Sequence, residues 1–157
     1  MESEQMYGDK MEIPEGEYII PIGVAEIKRE GTDVTIVSFG KIIKEAYKAA
    51  EELAKENISV EIIDLRTVRP MDHAAIVKSV KKTNRLVVLE ESWPFGSVAT
   101  EITYRIQEEA FDYLDAPVKR ITTADTPAPY SPVLLEKWIP NYKDVIKAVK
   151  DVLYLKK

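Results

Sequence analysis

From residue 34 onward the chain alternates between two hydrophobic periods, and this alternation restricts the fold more than any other feature. "VTIVSF" (34–39), "VEIIDL" (60–65), "RLVVLE" (85–90) and "VKRITT" (118–123) are short runs rich in β-branched residues, which suit a pleated, buried strand. "RLVVLE" is almost continuously apolar, as expected of a strand covered on both faces. Between these runs apolar residues recur at helical spacing. Ile42, Ile43, Ala46, Tyr47, Ala50, Leu53 and Ala54 mark one helix from Lys41 to about Glu56, with Lys44, Glu45, Lys48, Glu51 and Glu52 mostly on its other face. Asp72 is placed to cap a second helix carrying Ile76, Val77 and Val80, and Ser97 a third carrying Val98, Ile102 and Ile106. Ser131-Pro132 starts a fourth, with proline where no amide donor is needed. Asn141 with Asp144 opens the last, bearing Val145, Ile146, Val149, Val152 and Leu153. Such alternation predicts an α/β fold, a three-layer α/β/α sandwich with right-handed crossovers around a mixed, mostly parallel sheet.

The start of the chain reads differently. "VAEIK" (24–28) is separated from "VTIVSF" by Glu30-Gly31-Thr32-Asp33, a spacer that predicts a hairpin and two antiparallel neighbours. Residues 1–23 place Gly8, Pro14, Gly16, Pro21 and Gly23 among acids, the pattern of an extended lead-in. Its apolar Tyr18, Ile19 and Ile20 are expected to pack against a surface. With 157 residues in all, the remainder, 24–157, is enough for one core and too little for two.

Composition removes several kinds of chemistry. A net charge of −5 argues against a general nucleic-acid binder, which carries a basic stripe. The absence of cysteine excludes disulfides, thiolate metal sites and thiol nucleophiles. The one histidine, His73, falls just after "RPMD", where the first turn of a helix, exposed or capping, is the expected place. It has no second His or Cys to share a metal.

In a sheet of this kind ligands sit beyond the carboxyl ends of the strands. The loops there are "SFGK" (38–41), "DLRTVRPMD" (64–72), "EESWPFGS" (90–97) and "TTADTPAPYS" (122–131), each with one glycine at most. Phosphate cradles need several, so that amides can approach the anion. Ser92 and Ser97 lack the G-x-S-x-G elbow of a hydrolase. Glu90 and Glu91 are adjacent and point to opposite faces of a strand; Glu90 is expected to pair with an arginine and Glu91 to be solvated. Arg66 and Arg69 can clamp a carboxylate or phosphate, or pair with Asp64, Glu90 or an acid of a neighbouring subunit. Glu108, Glu109, Asp112 and Asp115 lie at or past the carboxyl end of a helix, where the macrodipole disfavours negative charge. Either solvent and salt screen them, or they form an acidic patch for a basic partner.

The segments "VEIIDLRTVRPMD", "IVKSVKKTNRLVVLEESWPFGSVATEI" and "AFDYLDAPVKRITTADTPAPYSPVLLE" resemble the C-terminal domain of the transketolase family, in particular the beta subunits of thiamine-dependent 2-oxoacid dehydrogenases. "MESEQMYGD" and "IPIGVAEIKREGTDVTIVSFG" extend the likeness over essentially the whole chain. "LDAP" and "PYS" point to the pyruvate-type enzyme, with branched-chain and acetoin dehydrogenase subunits as close competitors. The resemblance implies a five-stranded mixed sheet with one antiparallel strand, which makes 24–157 a transketolase C-terminal-like domain. It also implies that thiamine diphosphate and Mg, with the activating Glu and the catalytic His, reside in other domains, so that this one is inactive alone. Met1 then begins an excised domain, or the rest of the subunit is encoded apart.

On this likeness "DLRTVRPMD" is a joint, with Asp64, Arg66, Arg69 and Asp72 docking the domain on an alpha subunit and a second beta subunit, the latter through a beta–beta dimer contact. It further implies that Glu108, Asp112, Asp115 and Lys157 dock the peripheral subunit-binding domain of a dihydrolipoyl acetyltransferase core, although "YLKK" at the chain end departs from the family pattern there. Cytoplasm in bacteria, or the matrix of mitochondria or plastids, is the implied compartment. The reading from another class is an independent small-anion-binding α/β domain that uses Arg66 and Arg69.

Overall fold

The computed structural model describes residues 12–155, together with Met6, Gly8 and Lys10. Five strands form one sheet: β1 (Glu26–Arg29), β2 (Val34–Ser38), β3 (Val60–Asp64), β4 (Leu86–Leu89) and β5 (Lys119–Ile121). The helices are α1 (Ile43–Ala54), α2 (His73–Thr83), α3 (Val98–Glu109), α4 (Pro132–Trp138) and α5 (Tyr142–Val152), with a 3-10 turn at Phe111–Tyr113. The strand order is β1-β3-β2-β4-β5. β3, β2, β4 and β5 run parallel and β1 antiparallel. This is the expected mixed sheet with one reversed strand.

The period of two along each strand sorts its side chains into two cores. Val34, Ile36, Val60, Ile62, Val87 and Leu89 face α1 and α5, where Ala46, Ala50, Leu53, Val145 and Val149 cover them. Val37, Ile63, Leu86 and Val88 face α2 and α3, against Ile76, Val80, Ala99, Ile102 and Ile106. Each fully buried Leu or Ile contributes about 1.5–3 kcal/mol, and a central sheet with a core on either side is what makes three layers.

The hairpin expectation fails. β1 pairs with β3, not β2, so the Glu30–Asp33 spacer crosses the start of β3 instead of turning tightly. The amides of Thr32 and Asp33 donate to the Ser59 carbonyl, and Asp33 Oδ2 accepts the Ser59 amide at 2.7 Å. Gly31 is required for close approach: a Cβ there would stand 2.2 Å from the Glu61 nitrogen and the Val60 carbonyl carbon. A glycine between two strand runs therefore signals a crossing here rather than a turn. β1 is an edge strand, and its register shift between Ile27 and Arg29 is a bulge of the kind that blunts edge pairing.

The helix starts follow their caps. Asp72 Oδ1 accepts the Ala75 amide at 3.1 Å, and Asn141 with Asp144 forms a complete capping box. Pro132 opens α4 as expected. Ser97 occupies the cap position of α3 but makes no capping hydrogen bond with its side chain. Glu90 does so instead: fully buried at the end of β4, its Oε2 accepts the Ala99 amide at 3.2 Å. The expected arginine partner is thus replaced by a helix amino terminus, which favours a carboxylate by its dipole and its unpaired amides. Glu91 is exposed, as expected. Glu90→Ala removes the cap and opens a cavity, with an expected loss of about 2 kcal/mol in urea unfolding.

Candidate interaction site

The corner between β3 and α2 is built largely by contacts within the chain. Asp64 Oδ1 accepts the Arg66 amide at 3.0 Å, holding Arg66 at a positive φ of 56°. The Arg66 guanidinium turns back onto Glu26 of β1. Glu26 is held below the usual carboxylate range, first by its bond from Lys28 and then by that from Arg66, against partial desolvation. Asp72, besides capping α2, accepts the Ala25 amide on Oδ2 at 2.9 Å. Thr67 Oγ1 accepts the Gly23 amide at 3.0 Å and donates to the Pro70 carbonyl. Gly23 lies against the Pro70 ring, where a Cβ would come within 2.9 Å of Cγ. Three of the four expected joint residues thus have partners inside the domain.

Arg69 is the exception. Its side chain is exposed and has no hydrogen bond or ion pair among the described residues. It stands on a cleft of about 560 Å³ lined also by Val68, Pro70, Met71, Val98, Glu101 and Arg105. Arg105 Nε donates to Glu101 Oε1 at 2.7 Å, so the charge of that pair is internally balanced and Arg69 is the surplus cation. Arg66 is tied to β1, and the two arginines do not form one anion clamp.

A second feature borders the same sheet edge. Loop 90–97 and loop 122–131 are fastened together: the Thr123 amide and hydroxyl both donate to the Ser92 carbonyl at 3.0 Å, and Trp93 and Trp138 each donate Nε1–H to the Thr126 carbonyl at 2.9 Å. What they present is apolar. Phe95 is 92% exposed and Tyr130 fully exposed, with Trp93, Val133 and Leu134 also uncovered.

At the far end of α3 the acids are only partly engaged. Glu108 accepts the Tyr104 hydroxyl at 2.6 Å, and that acceptor raises the Tyr104 pKa. Asp115 pairs with Arg85 at 3.1 Å while remaining about half exposed (54%). Asp112 is exposed and has no partner among the described residues. The Tyr154 hydroxyl donates to the Asp115 carbonyl at 3.3 Å, so the end of the chain lies beside this acid. Lys157 falls outside the described residues. His73 opens α2 half-exposed, 3.8 Å from Glu109.

Among the described residues no three His, Asp or Glu side chains converge to hold a metal ion, and the carboxyl-edge loops lack the glycines of a phosphate cradle.

The fold and these loops define a class: residues 23–145 match the family model described as transketolase, C-terminal domain, and the chain belongs to that family. Among curated relatives it is 50% identical over 155 residues to the pyruvate dehydrogenase E1 component subunit beta of Rhizobium meliloti (strain 1021), covering 98% of this chain and 34% of the relative. It is 47% identical over 161 residues to the mitochondrial subunit beta-1 of Arabidopsis thaliana, covering 100% of this chain and 44% of that protein. The chain therefore spans between a third and a half of the length of these relatives. A solved split-gene transketolase, described as an inactive beta4 tetramer, superposes with a TM-score of 0.77 at 30% identity over 88% of this chain and 45% of that one. A 2-oxoglutarate:ferredoxin oxidoreductase from Magnetococcus marinus shares the fold, with a TM-score of 0.55 at 15% identity, over 83% of this chain and 19% of that one.

Proposed function

We propose that this chain is the non-catalytic C-terminal domain, 24–157 after a lead-in of 1–23, of the beta subunit of a pyruvate dehydrogenase first component. Its work is assembly: contact with an alpha subunit, self-association through a beta–beta contact, and docking to the dihydrolipoyl acetyltransferase core. The parent enzyme would decarboxylate pyruvate with thiamine diphosphate and acetylate lipoyl groups, the chemistry residing outside this domain. The observation that carries the reading is the uncovered apolar ridge of Trp93, Phe95, Tyr130, Val133 and Leu134. Apolar surface of this extent marks a protein contact, and it lies where an enzyme of this fold would otherwise place a polar site. The split-gene transketolase, itself a beta4 tetramer, supports self-association.

For core docking the support is the half-exposed Asp115 with the chain end beside it and the exposed Asp112, which has no partner among the described residues. A basic subunit-binding domain titrated at low salt is expected to bind, and to bind less well as salt rises. Asp112→Arg leaves the Arg85 pair intact, and with Asp115→Arg it is expected to weaken binding roughly tenfold. Equal binding by both variants, each shown folded by circular dichroism, removes the docking role.

A further inference from the structure

The lead-in is the least satisfied part of the described chain. Residues 12–22 form no helix or strand, and every one of them is exposed. They make no hydrogen bond or ion pair among the described residues. Yet this segment is not polar. Ile13, Tyr18, Ile19, Ile20 and Ile22 are all uncovered, Ile19 to 80%. The expectation that Tyr18–Ile20 packs against a surface is therefore unmet within one molecule. A run of apolar side chains on an extended strand of chain is stable in water only if something covers it.

The arm is also charged in one sense: Glu12, Glu15 and Glu17 with no basic residue between 12 and 24. The surface that complements it is the cleft at the β3–α2 corner. Its walls are apolar (Val68, Pro70, Met71, Val98) and its one unbalanced charge is Arg69. Glu17 directly precedes Tyr18-Ile19-Ile20, so one carboxylate followed by three apolar side chains meets one guanidinium beside an apolar wall. The two features are also neighbours. The arm leaves the domain at Gly23, which rests on Pro70 at the rim of that cleft, and Gly23–Thr67 and Ala25–Asp72 fix its root there. The arm nevertheless stays out of its own cleft.

We infer that two copies of this chain exchange arms, the Glu17–Ile20 segment of each lying in the cleft of the other with its Glu17 carboxylate on Arg69. A two-fold pair uses both arms and both clefts, so a contact of modest size counts twice. The inference deepens the proposed self-association by naming its surfaces. Buried apolar side chains would supply affinity, and the ion pair would fix register and orientation.

Sedimentation velocity over a concentration series tests it. The unaltered chain is expected to be a reversible dimer. Arg69→Glu and Glu17→Arg, both at exposed positions, are each expected to weaken dimerisation roughly tenfold, and the double variant, with the charges swapped, to recover most of the loss. Recovery is a readout that general destabilisation cannot mimic. A monomer at every concentration, or a double variant no stronger than the single ones, overturns the exchange. A dimer indifferent to both single variants also overturns it, while leaving self-association through another face intact.

Discussion

Gly31→Ala is expected to destabilise the domain by roughly 3 kcal/mol or more, lowering Tm by about 6–12 °C for a chain of this size. The reason is steric. The added methyl would lie 2.2 Å from two main-chain atoms of Val60 and Glu61 and 2.6 Å from the Val60 carbonyl oxygen. Main chain at the start of a central strand cannot step aside as a flexible side chain would. Making room would mean either lifting the β1–β2 crossing off β3, which breaks the Thr32 and Asp33 bonds to Ser59, or displacing β3 itself. Gly40→Ala is the control. Gly40 has a positive φ of 69°, which Gly31 does not, but open space around its Cβ direction, so only conformational strain of about 1 kcal/mol is expected. Thermal unfolding of the two variants measures the difference, and equal losses would show that the crossing has slack.

That same glycine shows where the sequence is legible and where it is not. Periodicity identified four parallel strands and the helices between them, because burial on both faces leaves a local record in every turn and pleat. It misplaced the neighbour of β1, because strand order is a non-local property: a spacer of four polar residues fits a hairpin and an over-crossing equally well. The site residues divide in the same way. The caps made by Asp72 and Asn141 reach no further than three residues along the chain, and a local pattern records them, whereas the bond from the Ala25 amide to Asp72 leaves no such trace. Glu26–Arg66 and Arg85–Asp115 join residues 40 and 30 positions apart, and nothing in their local surroundings announces the partner. Glu90 looked like half of an ion pair because glutamate is seldom buried without one. Its partner is a main-chain amide, that of Ala99, which no side-chain pattern encodes. The cleft was invisible for a related reason, since Val98, Glu101 and Arg105 meet the β3–α2 corner only when α3 folds against the sheet.

The second large effect concerns a buried polar cluster on the other face of the crossing. Thr35 and Glu61 point from β2 and β3 towards α2, where an apolar core would otherwise continue. Thr35 Oγ1 lies 2.6 Å from Ser79 Oγ and 2.7 Å from Thr83 Oγ1. Glu61, almost wholly buried, accepts from the Ser79 hydroxyl and the Lys82 ammonium, and from the Gly31 amide at 3.3 Å. Lys82 reaches Glu30 as well, at 3.0 Å. Burial pushes the Glu61 carboxyl up, but the bonds from Lys82, Ser79 and Gly31 outweigh it and hold the group below its ordinary range. Glu61 in turn raises Lys82 above its own range, against some desolvation. The cluster ties α2, β3 and the crossing into one unit, so its loss loosens all three.

Glu61→Gln keeps the shape but removes the charge facing the Lys82 ammonium and one of the two acceptor oxygens that serve Lys82, Ser79 and Gly31, with an expected loss of about 2 kcal/mol at neutral pH. The pH dependence separates charge from packing. A carboxyl with a lowered folded pKa contributes fully above about pH 4.5, its ordinary value, and its contribution drains away as pH falls through the lower folded value. Lys82, raised, contributes fully below about pH 10.5 and loses its share as pH climbs through its higher folded value. Between these limits the pair acts at full strength. Urea midpoints measured from pH 7 down to 3 are therefore expected to fall more steeply for the native chain than for Glu61→Gln, the two curves converging at the acid end. Parallel curves would mean that the cluster holds α2 by shape alone and that the charge on Glu61 is incidental to stability.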